Sequence, residues 1–244
     1  MTSAQQIRDA VRRRQRRTRL LFGTVGLLVV VLAVSVVMSG GGTSGPAPSS
    51  SAPASRQGGG VSAQGEVTLP GAAELADGKF PVRFPHTPHG AVAAMVAMLN
   101  NSWTMDVQHN LKAADIYAQP ASREKARLAA EPSAQRLREG IGLPLTGGVP
   151  DGAYSTVTPR GVKWQALGPD RVRVAVMVRF TAAASSQTTP VVRDFAMSSD
   201  WLWDPAVRSG DWVLSLDQVD EFTPDLAEPG TARFKELGWL AVQR

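Results

Sequence analysis

Apolar positions along the 244 residues fall into three regimes. Residues 20–38, "LLFGTVGLLVVVLAVSVVM", form a run of nineteen without a charge. Residues 39–66 carry hardly any large apolar side chain. From Val67 onward apolar and polar residues alternate, first with a helical period and then with that of strands. In "TPHGAVAAMVAMLNNSW", Val92, Met95, Val96, Leu99 and Trp103 share one helical face, with Thr87 as N-cap and Pro88 at the first helical position. The opposite side, Ala91, Ala93, Ala94, Ala97 and Met98, is also apolar, so this helix is expected to lie between a sheet and other helices. "VQHNLKAADIYA" and "PASREKARLAAEPSAQRLREG" predict shorter, more polar helices, broken at Pro120 and Pro132 and stopped at Gly140.

The second half reads as strands. In "RVRVAVMVRF", Val172, Val174, Val176, Val178 and Phe180 face one way and Arg171, Arg173 and Arg179 the other, the pattern of a half-buried antiparallel strand. "VKWQAL" precedes it across the turn "GPD". "VRDFAMSSDWLW" follows, with Phe195, Met197, Trp201 and Trp203 on one face, and "DWVLSLDQV" closes the set through the hairpin loop "DPAVRSG". Helices followed by about four antiparallel strands predict an α+β domain.

Charge sets the topology. Residues 1–19 hold seven arginines against one acid, and the rest of the chain is nearly neutral, so the net charge of +5 belongs to the tail. The basic balance is therefore no sign that the folded part binds nucleic acid. As a helix, the uncharged run spans roughly 28 Å at about 1.5 Å per residue, close to a bilayer core. It exceeds the usual apolar region of a signal peptide, and "VVMSGGG" is a poor cleavage site, so an uncleaved anchor is preferred. Arg12, Arg13, Arg14, Arg16, Arg17 and Arg19 before the span keep the tail in the cytoplasm and place everything after Met38 outside. The Gly/Ser/Pro/Ala stretch after it reads as a flexible tether. The expected organisation is a tail at 1–19, a span at 20–38, a linker at 39–66 and an external domain at 67–244.

Candidate chemistry is thin. The chain has no cysteine, which excludes disulfides and thiol chemistry. His86 and His89 stand three apart, but the predicted helix starts only at Thr87, so they should not share a face and are read as shaping the helix start rather than holding a metal. No G-x-S-x-G, H-E-x-x-H or phosphate loop occurs, and the acids Asp217, Asp220, Glu221 and Asp225 lack calcium-loop spacing. No catalytic, cofactor or metal residue is therefore assigned. Arg171, Arg173 and Arg179 on one side, and Asp217, Asp220 and Glu221 on the other, form a candidate partner surface, with ordinary solvated surface as the plainer reading.

The segments "FPHTPHGAVAAMVAML" and "RGVKWQALGPDRVRVAVMV…DWLWDPAVRSGDWVLSLDQV" resemble a group of membrane proteins of actinobacterial conjugative elements, in which a "[FY]P.T..GA..AA" helix start precedes a "W…V…W…GDW.L" strand region. The plan of tail, span, linker and external domain is similar to the bitopic inner-membrane assembly factor of type IV secretion systems. The resemblance covers roughly residues 84–219 and implies a nuclear-transport-factor-2-like cone, helices packed on a curved antiparallel sheet. It further implies a non-enzymatic scaffold without cofactors, whose partners are the membrane, other transfer-apparatus proteins and a possible second copy. The alternatives are a ligand-binding or enzymatic cone, for which Asp115 or Asp194 with Tyr117 is the nominal acid–base pair, and an accessory protein of lipid transport or the cell wall. Residues after Val219 match nothing in the group.

Overall fold

The computed structural model describes residues 60–62, 65–217 and 222–243. It is an α+β domain, three main helices packed on a four-stranded antiparallel sheet. The described residues start with β1 (Gly60–Val61), β2 (Glu66–Thr68), β3 (Glu74–Ala76) and β4 (Phe80–Val82). Helices α1 (Pro88–Ser102), α2 (Val107–Tyr117) and α3 (Arg123–Gly140) follow. The meander β5 (Tyr154–Gly168), β6 (Arg171–Ala183), β7 (Val191–Asp204) and β8 (Asp211–Ser215) comes next, and a short α4 (Ala232–Glu236) and β9 (Ala241–Val242) end the chain. No helix among the described residues is long and apolar enough to cross a membrane. The expected span at 20–38 and its flanking arginines lie outside them.

The first helix forms as its sequence predicts. Thr87 Oγ1 accepts from Gly90 N at 3.1 Å, and Pro88 occupies the first turn. Both sides of α1 are covered, because the sheet takes one and α2 the other. The face of β6 carrying Val172, Val174, Val176 and Val178 meets Val92, Met95 and Leu99. Trp103 stacks on Phe195 with centroids 4.4 Å apart, and Trp201 Nε1 donates to Ser199 Oγ at 3.1 Å. Side chains thus fill the space between helices and sheet.

Four expectations need correction. Helix α3 does not break at Pro132 but runs through it to Gly140. The roughly 3 kcal/mol that an interior proline costs is offset by docking. Ala130 and Ala134 are buried, and Asn110 Nδ2 of α2 donates to Ala130 O at 2.8 Å. Among the described residues the first strand lies at Gly60–Val61, inside the stretch read as linker, and β2 beside it pairs in parallel with β9 from the far end of the chain, a partner that no local pattern announces. Strand β5 is much longer than "VKWQAL". It carries a bulge where Arg160 has no opposite number, which returns Val162 to the inner face. Strand β6 is not half-buried: Ala175 and Met177 on its outer face are covered by Phe234 and Trp239. The β3–β4 hairpin is an element that the hydrophobic period does not show, although its Asp77–Gly78 turn, with φ of 49° and 68°, is an Asp-Gly signal.

Candidate interaction surface

The segment before α1 docks on the β7–β8 hairpin, and the residues of the two motif segments meet there. Pro85 O accepts from Thr87 N at 2.7 Å and from the Trp212 indole at 2.9 Å. Asp211 is buried, and its carboxylate accepts from Arg83 N, Arg208 Nε and Trp212 N, each at 2.8 Å. Gly210, at φ +107°, leaves no room for a side chain, since a Cβ there would lie 2.7 Å from the Trp203 ring. Arg83, Arg208 and Ser209 also adopt left-handed φ here, a cost that the Asp211 hydrogen bonds offset. The motif residues Pro85, Thr87, Gly90, Gly210, Asp211 and Trp212 thus fix one helix start against one hairpin.

The histidines have separate environments. His86 stacks on Trp203 with centroids 4.1 Å apart, and its Nε2 lies 2.8 Å from Asp170 Oδ1. The His89 ring lies against Trp164, and its Nε2 is buried without a hydrogen-bond partner. His109 packs on Phe80, with Nε2 3.1 Å from Asn101 Oδ1. Among the described residues no group of three or more His, Asp or Glu has the arrangement to hold a metal. Burial lowers the pKa of His89. It also lowers that of His109, where Asp106 works against the shift and Lys79 adds to it. Both stay neutral in the fold at a pH where the unfolded chain takes up protons, so their contribution is absent above about pH 7 and stability falls as pH drops through 6.5. We expect the purified chain to melt at a lower temperature at pH 5.5 than at pH 7.5. His89→Phe, which removes the orphaned nitrogen, should reduce that difference, and an unchanged difference would refute the assignment.

The nominal acid–base residues do not converge. Asp115 pairs with Arg127 at 2.8 Å, and Asp194 pairs with Arg179 on the far face of the sheet. The Tyr117 hydroxyl donates to Pro81 O at 3.1 Å, and burial raises its pKa.

The strand arginines are engaged across the sheet. Register places Arg179 opposite Asp194 and Arg173 opposite Asp200. Arg179 makes two bonds to Asp194, at 2.8 and 2.7 Å. Asp200 is 0 % exposed and takes Arg173 Nε at 2.8 Å and Arg171 Nε at 2.9 Å. Burial alone would raise the Asp200 pKa, but the hydrogen bonds and charges of Arg173 and Arg171 outweigh it and hold it below the usual carboxylate value. The arginines therefore find carboxylates across the sheet on β7. Of the acids at the strand exit, Asp217 bonds to Ser215, its Oδ2 accepting from the hydroxyl at 2.8 Å, while Asp220 and Glu221 lie outside the described residues.

Between the two arginine pairs the outer face of β6 is apolar, at Ala175 and Met177, and residues 222–243 lie over it as a strap. Phe234 packs where Gly161 has no side chain; a Cβ there would sit 2.9 Å from its ring. Trp239 is buried and donates to Asp225 O at 3.0 Å, and Leu240 exchanges two 2.9 Å backbone bonds with Val162. The bulge residue Arg160 reaches Glu228 of the strap at 2.5 Å. An open cleft of about 230 Å³ remains between strap and sheet, lined by Arg160, Met177, Asp194, Leu226 and Glu228. Because the strap forms its own apolar cluster apart from the main core, Phe234→Ala is expected to remove about 3 kcal/mol locally. Limited proteolysis should then cut within 222–243 while the helix–sheet body stays resistant; uniform digestion would show that strap and body are one unit.

No family model, curated protein or solved structure matches the chain.

Proposed function

We propose that the chain is a membrane-anchored, non-enzymatic scaffold of a conjugative, type IV secretion-like DNA-transfer apparatus. Its N-terminus is cytoplasmic, and its external domain is a cone of the nuclear-transport-factor-2 type that works through protein contacts. The observation that carries the reading is the meeting of the two motif segments: Pro85, Gly90, Gly210, Asp211 and Trp212 serve the docking of the helix start on the β7–β8 hairpin. These contacts build a shape rather than a reaction centre. The filled space between helices and sheet, and the separation of Asp115, Asp194 and Tyr117, favour contact surfaces over a ligand pocket. Anchor and tether would confine the domain near the membrane and raise its effective concentration for neighbours.

The test is in-cell crosslinking and affinity capture of the tagged full-length chain from native membranes. A transfer ATPase or channel subunits among the captured proteins is the expected result. Capture of only lipid-transport or wall enzymes would overturn the reading.

A further inference from the structure

Strand β9 lies between β2 and β5. On one side it pairs in parallel with β2, Glu66 opposite Ala241 and Val67 opposite Val242. On the other, Leu240 and Val162 of β5 exchange their two 2.9 Å backbone bonds. Ala241 N donates to Gly65 O at 3.2 Å, and Gln243 N donates to Val67 O at 2.9 Å. The Gln243 side chain adds a bond from Nε2 to the Glu66 carboxylate at 3.2 Å and accepts from the Thr68 hydroxyl. Alternate side chains serve different layers. Leu240 and Val242 pack on the main core, which includes the fully buried Val67, while Ala241 packs with Phe234 and Trp239 in the strap cluster.

The N-terminal strands have no other sheet partner. Among the described residues β1 pairs with β2 alone, and β2 with β1 and β9. Residues 60–68 therefore reach the four-stranded sheet through β9. The strap is held in turn by features of β5, with Phe234 seated over Gly161 and Glu228 against the bulge residue Arg160. Phe234 and Trp239 suffice to cover Ala175 and Met177. The strand that follows them does something further. Because it is threaded between β5 and β2, β9 cannot leave β5 with the strap and still bridge β2 to the sheet. Seating of the strap and docking of the N-terminal strands are thus one event.

We propose that β9 is a clasp that couples the C-terminal strap to the tether. With the strap seated, β2 is held and the tether stops where β1 begins. When the strap leaves its seat, β1 and β2 are released, and residues 60–68 lengthen the tether by roughly 30 Å of extended chain at about 3.3 Å per residue. A competitor for the outer face of β5 and β6 and a load on the tether act on this same equilibrium, so each favours the other. The clasp stands on the contacts of β9, while the role of the released chain as tether rests on the scaffold reading and its membrane anchor.

Amide hydrogen exchange of the full-length chain in detergent reads the clasp. Residues 66–68 and 240–243 should open together, with equal protection and faster than β6. Phe234→Ala, a change in the strap alone, should speed both roughly a hundredfold and leave β6 protected. Val67→Ala, a change in β2 alone, should speed 240–243 at least tenfold; if it also strips protection from β6, Phe234→Ala decides alone. Acceleration confined to the strap, or spread to β6 in Phe234→Ala, overturns the clasp. The chain has no cysteine, so Leu128→Cys takes a single donor dye, and acceptor lipids in a nanodisc then report reach. Phe234→Ala should broaden the donor–acceptor distance distribution, and an unchanged distribution overturns the lengthening. Coupled exchange in a chain that does not enter the bilayer keeps the clasp and removes the anchor. Insertion with uncoupled exchange removes the clasp and leaves the scaffold reading standing.

Discussion

Gly90→Ala is expected to destabilise the domain by about 3 kcal/mol, lowering Tm by roughly 10 °C. Helix propensity alone gives the opposite sign, since alanine in place of glycine inside a helix is worth up to about 1 kcal/mol of stability. The difference lies in what stands beside the residue. A Cβ at position 90 would lie 1.9 Å from Pro85 O and 3.1 Å from the Trp212 indole nitrogen. Pro85 O is main chain and already accepts two hydrogen bonds, so it cannot move aside without losing the Trp212 contact. Relief requires the helix start to lift off the hairpin, which exposes Trp212 and frees Arg83 N from the buried Asp211 carboxylate. Gly71→Ala is the control. A Cβ at position 71 would meet nothing within 4 Å, and the substitution should change stability by less than about 0.5 kcal/mol. Thermal melting of the two variants decides the matter, and a Gly90→Ala chain as stable as the parent would mean that the helix start is not held as described.

The second large effect concerns Asp200. Its carboxylate is fully buried, while the side chains of Arg173 and Arg171 are 13 % and 46 % exposed. Asp200→Ala removes the buried carboxylate that both guanidiniums share, and loss of its charge-assisted hydrogen bonds should cost about 2–3 kcal/mol. Arg171→Met should cost much less, because its guanidinium reaches water and Arg173 still neutralises the acid. The pH dependence has a definite sign. The folded pKa of Asp200 lies below 3.8, so its contribution is fully present at neutral pH and is lost as pH falls through that value toward the depressed one. Asp200→Asn should therefore be less stable than the parent at pH 7, with the gap narrowing below about pH 4. Denaturant titrations at pH 7 and pH 3.5 measure this; a gap that stays constant would show that the ion pairs do not carry the difference.

Much of the architecture is written locally. Thr87, Pro88 and the apolar run after them specify α1, because capping and helical spacing are properties of neighbours in sequence. The alternation in "RVRVAVMVRF" specifies β6 and its inner face for the same reason. What stayed hidden depends on partners far along the chain. Alternation placed the arginines of β6 on one face, but only register brought Asp200 opposite Arg173 and Asp194 opposite Arg179, turning a candidate partner surface into cross-strand pairs of which Asp200 is the buried member. Pro132 reads as a break until α2 supplies Asn110 and the buried surface around Ala130. Gly90 and Gly161 look like weak points in a helix and a strand, and only the approach of Pro85 and Phe234 gives them their purpose. Arg138 is one arginine among many in the sequence, and folding alone makes it the buried centre of a loop. Local chemistry thus determined which segments are helices and strands and which faces are apolar. Tertiary structure decided which charges are spent inside, where the C-terminal segment lies and which residues remain to meet a partner, because those depend on distances between residues that the chain order does not contain.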